Sequence, residues 1–446
     1  MALKKMDDLV IYRDDAWYST FPSLVTRPDG SVLCAFRRAP DRRRWGGAVT
    51  HSDPNSWCMS VRSTDNGKTW TGEPQVIFAH PLAGNQDPCL LQLADGTILC
   101  STFSWMLLPD GAAGKPGARS AGMGWTMCNL GASVARSTDG GQTWQTPDPF
   151  AAAGDVPAGH EALVGRTVEE YVGRCDLSRE QLTEAARLGL QRAAARFDGA
   201  RGAPFAQYAE WWVRQSITRA IAQGQPHGSL QPISPPGDMP PERFAGVVNR
   251  GACRGKMTQL PDGRVLWPLY AFAGDDAPTA SRVYVSADGG QTWQYLSLIA
   301  QDSTVHFNET SLQLCPSGRI VAWMRTADLD GYLAMAYSTD GGETWSAWRQ
   351  TSVWGHPFTS CELPDGRVAL TYGYRREPFG IRMRLLEPEC GDLEQAQELT
   401  VRDDGANSDV GYPWVTPLAD GNILCAYYIN TDGGPRYIAG SIVCAG

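Results

Sequence analysis

Along most of the chain, apolar and polar residues alternate in short runs broken by Asp-Gly, a pattern of β-hairpins and not of helices. These turns fall at Asp29-Gly30, Asp95-Gly96, Asp262-Gly263, Ser317-Gly318, Asp365-Gly366 and Asp420-Gly421, between apolar segments such as "SVLCAF", "TILCST" and "NILCAY". A second element, S-x-D-x-G-x-T-W, begins at Ser63, Ser137, Ser286 and Ser338. Successive hairpin turns are separated by 66, 167, 55, 48 and 55 residues. A unit of about fifty to sixty residues therefore repeats, the size of a four-stranded propeller blade. The pattern predicts an all-β fold, a six-bladed β-propeller. Each blade reads strand, Asp-Gly turn, strand, connection, strand, Asp-containing turn, strand. The sixth unit ends in "RYIAGSIVCAG", one strand short. "LVIYR", Leu9 to Arg13, is expected to supply that outer strand and close the ring.

The long interval changes the periodicity. "LSREQLTEAARLGLQRAAARF" has helical spacing and a Ser178/Gln181 capping box, and "PFAQYAEWWVRQSITRAIAQG" is a second helical segment ending at Gly224. Residues 150–249 thus read as a helical insertion between blades 2 and 3, with 1–149 holding blades 1 and 2 and 250–446 holding blades 3 to 6. The insertion is a cap over one rim of the ring or a homo-oligomer contact. The pattern leaves both open.

Composition narrows the function. Only 20% of the 446 residues are charged while 48 are Gly and 16 Trp, which excludes disorder as the main state. The net charge of −9 argues against nucleic acid as a partner. No apolar run is long enough to cross a membrane, and the opening "MALKKMDDLVIYRDD" lacks a signal core. A cytoplasmic protein with no membrane partner is expected, or a secreted or periplasmic one if a signal has been removed. Cys34, Cys100 and Cys425 recur at one repeat position where other copies carry Trp267, Ala322 and Leu370, so they read as buried thiols. With no HExxH and no Cys/His cluster, neither metal nor cofactor is expected.

The repeat also sets a coordinate system. Eight residues before each turn stand Phe21, Asp87, Arg254, Glu309, Pro357 and Tyr412, at the start of the innermost strand, where they should converge on one funnel. Arg37 and Arg325 lie eight residues after their turns, with Arg38 beside the first, and Arg375 and Arg376 slightly further along in blade 5. Strand starts of the first kind and strand ends of the second share one rim. The repeated Ser, Asp, Thr and Trp belong to turns on the opposite rim and are structural. Trp105, Trp125, Trp211, Trp212 and Tyr270 read as core aromatics or sugar-stacking platforms.

The four Asp-boxes and six hairpins resemble the sialidase (neuraminidase) superfamily of six-bladed propellers, glycoside hydrolases. "FNETSLQLCPSGRIVAWMR" is similar to the segment carrying that family's catalytic Glu and a substrate-binding Arg, which implies these roles for Glu309 and Arg325. "DVGYPWVTPLADG" resembles the segment of the nucleophilic Tyr, here Tyr412, and "YGYRREPFGIRMR" the stretch with another clamp Arg, Arg375 or Arg376. The loop "THSDPNSWCMSVRSTD" corresponds to that of the acid/base Asp, which implies Asp53 with His51 as neighbour or substitute. The family's R-I-P triplet is replaced by Thr20-Phe21-Pro22, so the first clamp arginine is missing, with Arg37, Arg38 and Arg254 as replacements and Asp87 as a contact for sugar hydroxyls. The resemblance implies a retaining exo-glycosidase acting on a terminal α-linked sialic acid or related keto-sugar acid, with a sialoside or other glycan as partner. A glycosidase for another sugar and a non-catalytic glycan- or protein-binding propeller are the alternatives.

Overall fold

Each Asp-Gly hairpin closes by the same chemistry. In the first, Gly30 N–H donates to Arg27 C=O at 2.9 Å, Ser31 N–H donates to Asp29 Oδ1 at 2.9 Å, and Gly30 takes φ 79°, a left-handed conformation that glycine adopts without a Cβ clash. The computed structural model describes residues 3–41, 53, 55–80, 83–109, 118–122, 125–145, 159–173, 175, 177–197, 205–224, 251–272 and 278–446. After β1 (Leu3–Tyr12), the strands β2 (Trp17–Thr26), β3 (Val32–Pro40), β4 (Trp57–Ser63) and β5 (Gln75–Phe78) form one four-stranded sheet. The next sheet holds β6 (Gly84–Gln92), β7 (Ile98–Pro109), β8 (Ala118–Gly122) and β9 (Trp125–Ser137). The helices α1 (Glu161–Glu169), α2 (Arg179–Arg196) and α3 (Phe205–Gly224) follow β9. Three further sheets are β10 (Thr258–Gln259) to β13 (Gln294–Ala300) with β11 (Val265–Phe272) and β12 (Thr279–Ser286), then β14 (Phe307–Leu314), β15 (Ile320–Thr326), β16 (Tyr332–Ser338) and β17 (Arg349–Trp354), then β18 (Phe358–Glu362), β19 (Val368–Tyr374), β20 (Gly380–Leu386) and β21 (Glu398–Arg402). The last has the order β1-β24-β23-β22, from β22 (Gly411–Pro417), β23 (Ile423–Ile429) and β24 (Tyr437–Ala445).

Six antiparallel sheets thus make the propeller, and β1 pairs with β24 from Leu3↔Ala445 to Tyr12↔Ile438. One sheet departs from the expected strand order. In the second, β7 pairs with β9, and β8, which precedes β9 in the chain, takes the outer place in a hairpin. The fourth strand expected after the Asp-box at Ser137 is therefore replaced by one that comes before it, because the long β7 and β9 extend past the sheet and return through β8.

Apolar layers fill the gaps between neighbouring sheets. Leu33, Ala35, Cys58, Leu90, Ile98 and Cys100 pack the first against the second; Leu99, Met257, Val265 and Trp267 pack the second against the third. Trp17, Phe21, Phe36, Trp414 and Tyr428 join the last to the first. Cys34, Cys100 and Cys425 are buried in these layers as free thiols. The Asp-box turns are built from their own side chains. Asp65 Oδ1 accepts from Thr69 N–H at 2.8 Å, Ser63 Oγ from Gly67 N–H at 2.9 Å, and Trp70 Nε1 donates to Gly67 C=O at 3.1 Å. These hydrogen bonds, led by that from the Thr69 hydroxyl, hold the Asp65 carboxyl down at about 2, a structural carboxylate.

In the helical segment, Ser178 and Gln181 form the reciprocal capping box at the start of α2. Leu182, Ala186 and Leu190 of α2 are buried with Trp212, Val213 and Ile217 of α3, and a Cβ on Gly189 would strike the α3 backbone. α1 was not evident in the periodicity. The expected overhang above the ring depends on residues 146–158 and 225–250, which lie outside the described residues.

Candidate active site

The innermost strands begin with a kink that turns one side chain toward the axis. Phe21, Asp87 and Tyr412 have φ of 57°, 52° and 48°, and each lies where the ladder with the next strand slips: Thr20/Ser23, Gln86/Cys89 and Gly411/Trp414. The β14–β15 ladder slips likewise between Phe307 and Thr310, which places Glu309 in the irregular step. A bulge of this kind re-aims a side chain that the strand's pleat would send elsewhere.

Three groups meet at the centre. Tyr412 donates its hydroxyl proton to Glu309 Oε1 at 2.5 Å; Arg325 Nη1 donates to the same oxygen at 2.7 Å and to Tyr412 Oη at 3.0 Å. Glu309 Oε2 is buried with no hydrogen-bond partner among the described residues. Burial pushes the Glu309 carboxyl up, but the Arg325 charge and the Tyr412 hydrogen bond outweigh it and leave it below the ordinary range. Tyr412 is pushed well above the ordinary phenol range by burial and by the Glu309 charge. The resting pair is therefore a carboxylate and a neutral phenol, with the proton placed to move from oxygen to oxygen.

Arg375 completes one side. Its guanidinium carbon lies 5.3 Å from the Tyr412 ring centre, Nε donates to Val410 C=O at 3.0 Å and Nη2 to Tyr428 Oη at 3.1 Å. Tyr428 and Tyr18 donate to the two oxygens of Asp409 at 3.0 and 2.8 Å, so the arginine is anchored through a network. His356 Nδ1 accepts from Arg325 Nε at 2.9 Å. On the other side, Arg37 is fully buried, its guanidinium 5.9 Å from the Tyr18 ring and 6.0 Å from that of Phe21. Burial lowers its pKa, offset by Tyr18 and by the carboxylates Asp53 and Asp87. Asp53 is buried, and its Oδ1 accepts from Asn55 N–H at 2.8 Å in a local turn. Asp87 Oδ1 has no hydrogen-bond partner among the described residues, and burial raises its carboxyl to about 7 against the opposing charge of Arg254.

Three expected substrate contacts lie elsewhere. Arg254 is 1% exposed and lies 5.3 Å from the Tyr412 ring centre, with Nη2 donating to Pro22 C=O at 2.9 Å and Tyr412 C=O at 2.8 Å and Nη1 to Phe21 C=O at 3.3 Å. These hydrogen bonds, with one to Pro88 C=O at 3.5 Å, go to backbone carbonyls of the kinked strands. Gly255 presses that segment onto β14 so closely that a Cβ would overlap Thr310 C=O, which fixes the direction. Arg38 alternates away from Arg37 along β3, lying 4.2 Å over the Trp17 ring with Nη1 on Tyr12 Oη at 3.3 Å. Arg376 is exposed, paired with Asp330 at 2.8 Å and lying over Trp354. His51 lies outside the described residues.

The sequence pattern passes over the Tyr428 phenol and gives Tyr270 only as a core aromatic or stacking platform. Tyr270 and Tyr428 stand eight residues after their turns, the same count that singles out Arg37 and Arg325. Burial and the charges of Glu309, Asp87 and Tyr412 push Tyr270 well above the usual phenol range.

Residues 231–425 match the BNR repeat-like domain family and residues 135–146 the BNR/Asp-box repeat. A sialidase from Micromonospora viridifaciens is 35% identical over 396 residues, 81% of this chain and 50% of that protein, so the chain spans about half the length of this curated relative. A solved protein of unknown function from Dyadobacter fermentans is 35% identical, with a TM-score of 0.73 over 100% of this chain and 99% of the other. The helical segment has a different likeness. Residues 159–226 match Sigma-70 region 2, and 60 residues are 48% identical to RNA polymerase sigma factor SigA of a Nostoc species, covering 14% of this chain and 15% of that one. The chain therefore belongs to one family with the Dyadobacter protein and is a BNR/Asp-box-containing six-bladed β-propeller related at low identity to the sialidases.

Proposed function

We propose that the funnel is the active site of a retaining exo-glycosidase of sialidase type, acting on a terminal α-linked sialic acid or related keto-sugar acid. The observation that carries this reading is the short Tyr412–Glu309 hydrogen bond under the Arg325 guanidinium. An anomeric carbon bearing a carboxylate repels a carboxylate nucleophile, and a neutral phenol escapes that repulsion, which is why sialidases depart from the two-carboxylate pattern of most glycosidases and attack with a Tyr. Tyr412 Oη bonds to the anomeric carbon as its proton passes to Glu309 Oε1. The bond to the leaving oxygen breaks, and Asp53 supplies the proton that oxygen takes. Water then attacks the glycosyl-tyrosine, giving its proton to Asp53 while Tyr412 recovers its own from Glu309. Arg325 and Arg375 flank Tyr412 and bind the sugar carboxylate by charge-assisted hydrogen bonds.

Wild type, Tyr412→Phe and Glu309→Gln assayed on a panel of aryl glycosides, sialosides included, test this. Each substitution should lower kcat by about 10²- to 10⁴-fold. A fully active Tyr412→Phe would remove the nucleophile assignment. Turnover of a neutral sugar only would favour a second reading, a glycosidase for another sugar, which the Thr20 that stands in place of the first clamp arginine supports.

For the helical segment we propose a docking role, supported by its match to a sigma-factor region. Titration of the full chain with core RNA polymerase, with and without residues 159–226, decides it. Saturable binding that depends on those residues is expected, and no binding ends the reading.

A further inference from the structure

Arg325 is held on one edge by a histidine. Its Nη1 reaches Glu309 and Tyr412, while its Nε donates to His356 Nδ1 at 2.9 Å. A ring nitrogen that accepts a hydrogen bond carries no proton, so the neutral imidazole has its hydrogen on Nε2. The ring is wedged. It meets the Trp354 indole edge-on at 5.0 Å, and His356 N–H donates to Gly373 C=O at 3.0 Å. A Cβ on Gly373 would overlap the His356 carbonyl, and one on Gly331, whose φ is 83°, would overlap Nε2. Glycines on two elements therefore leave the imidazole one seat, with Nδ1 facing the guanidinium.

The charged groups around the ring include Arg325 from β15, Arg375 and Arg376 following β19, Glu309 from β14, and Asp330, which precedes the Gly331 beside Nε2 and pairs with Arg376 at 2.8 Å. Burial and the three guanidinium charges outweigh Glu309 and lower the imidazole pKa to about 3. A carboxylate in the same seat would place a second anion on Arg325 beside Glu309 and cancel the charge available to a ligand. We infer that His356 is a positioning residue that orients Arg325 by accepting its Nε–H on Nδ1, so that the guanidinium charge is left for an anionic substituent of the ligand. The inference rests on the anionic-sugar reading of the funnel.

Two measurements test it. Histidine-selective ¹⁵N NMR of the full chain, with His356 identified by its loss in His356→Asn, should show an Nε2–H tautomer that does not titrate down to about pH 4.5. A ring that protonates near pH 6.5, or the Nδ1–H tautomer, would overturn the inference. The second is kinetics on 4-methylumbelliferyl α-N-acetylneuraminate. His356→Ala should raise KM by about 10-fold with a smaller fall in kcat, His356→Asn should recover most of that loss through its amide oxygen, and His356→Asp should raise KM at least as far as Ala at neutral pH and recover on acidification. A His356→Asp enzyme with the wild-type KM would also overturn it. If the wild type turns over no sialoside, the proposed function fails, and the tautomer and titration of the ring still decide whether His356 is a neutral acceptor.

Discussion

Phe21, Asp87 and Tyr412 share a positive φ, and each is followed by proline, Pro22, Pro88 and Pro413. A side chain in this conformation costs about 1–2 kcal/mol, and proline restricts the residue before it further. The arrangement persists because Arg254 bonds the carbonyls of Phe21, Pro22 and Tyr412 at once. Asp87 is the kinked residue that carries a carboxyl, and burial raises its pKa. Its folded carboxyl stands at about 7, against about 3.9 for an unperturbed one. Between roughly pH 4 and 7 the unfolded chain has released a proton that the folded chain keeps, so this group makes stability fall as pH rises through that window. Asp87→Asn removes the effect and keeps a residue that tolerates positive φ. The variant should gain stability over wild type by a few kcal/mol at pH 8 and little at pH 4, read from urea unfolding at the two pH values. An equal difference at both would mean that Asp87 ionises normally. Ionised Asp87 also lies in the field of Glu309, so KM for an anionic substrate should rise as pH passes about 7 in the wild type.

At the scale of elements, the one hairpin without Asp shows how turns and neighbouring blades compensate. Asp29, Asp95, Asp262, Asp365 and Asp420 each accept from the N–H two residues on, at 2.9–3.0 Å. Ser317 makes that bond at 3.3 Å, and Glu389 from the β20–β21 loop takes Ser317 N–H at 2.9 Å and its hydroxyl at 2.7 Å. The irregular "LLEPECGD" is thus a docked loop that caps the adjacent blade's turn. Glu389→Ala should cost about 1 kcal/mol, and Ser317→Asp in that background should restore most of it by rebuilding the local cap, as read from thermal unfolding. No recovery would mean that the loop acts through its packing. The hairpins, the Asp-boxes, α2 with its cap and the convergence of Glu309, Arg325 and Tyr412 were all legible, because each rests on local chemistry repeated at fixed spacing. The direction of Arg254 was not, since it depends on the carbonyls of Phe21 and Pro22 on β2, Pro88 on β6 and Tyr412 on β22. The place of β8 was not either, since which strand takes a sheet's outer edge depends on how far β7 and β9 run on, which no turn motif marks. Tyr428 was within reach of the same count from the turn, and Tyr270, read as a core aromatic or stacking platform, stands at that position too.

For the whole molecule, ring closure is the step on which the site depends. Glu309 and Tyr412 come from sheets separated by another blade, and their 2.5 Å contact exists only if the six sheets meet. Two interactions seal the ring: the apolar layers between neighbouring sheets, and the pairing of β1 with β24. β1 buries Ile11 and Tyr12 against the layer between the last and first sheets, and leaves Met6 and Val10 exposed on its outer face. Burying two large side chains contributes about 1.5–3 kcal/mol each, before the ladder of hydrogen bonds along β24 is counted. Removing residues 3–12 should therefore lower stability by at least about 3 kcal/mol and uncover β24 as an edge open to another chain. Gel filtration should show concentration-dependent self-association, and turnover should fall in step with the loss of monomer. Adding the peptide LKKMDDLVIY in trans should reverse both, since it refills the edge without touching the funnel. A truncated chain that stays monomeric and fully stable would mean that the apolar layers alone close the ring.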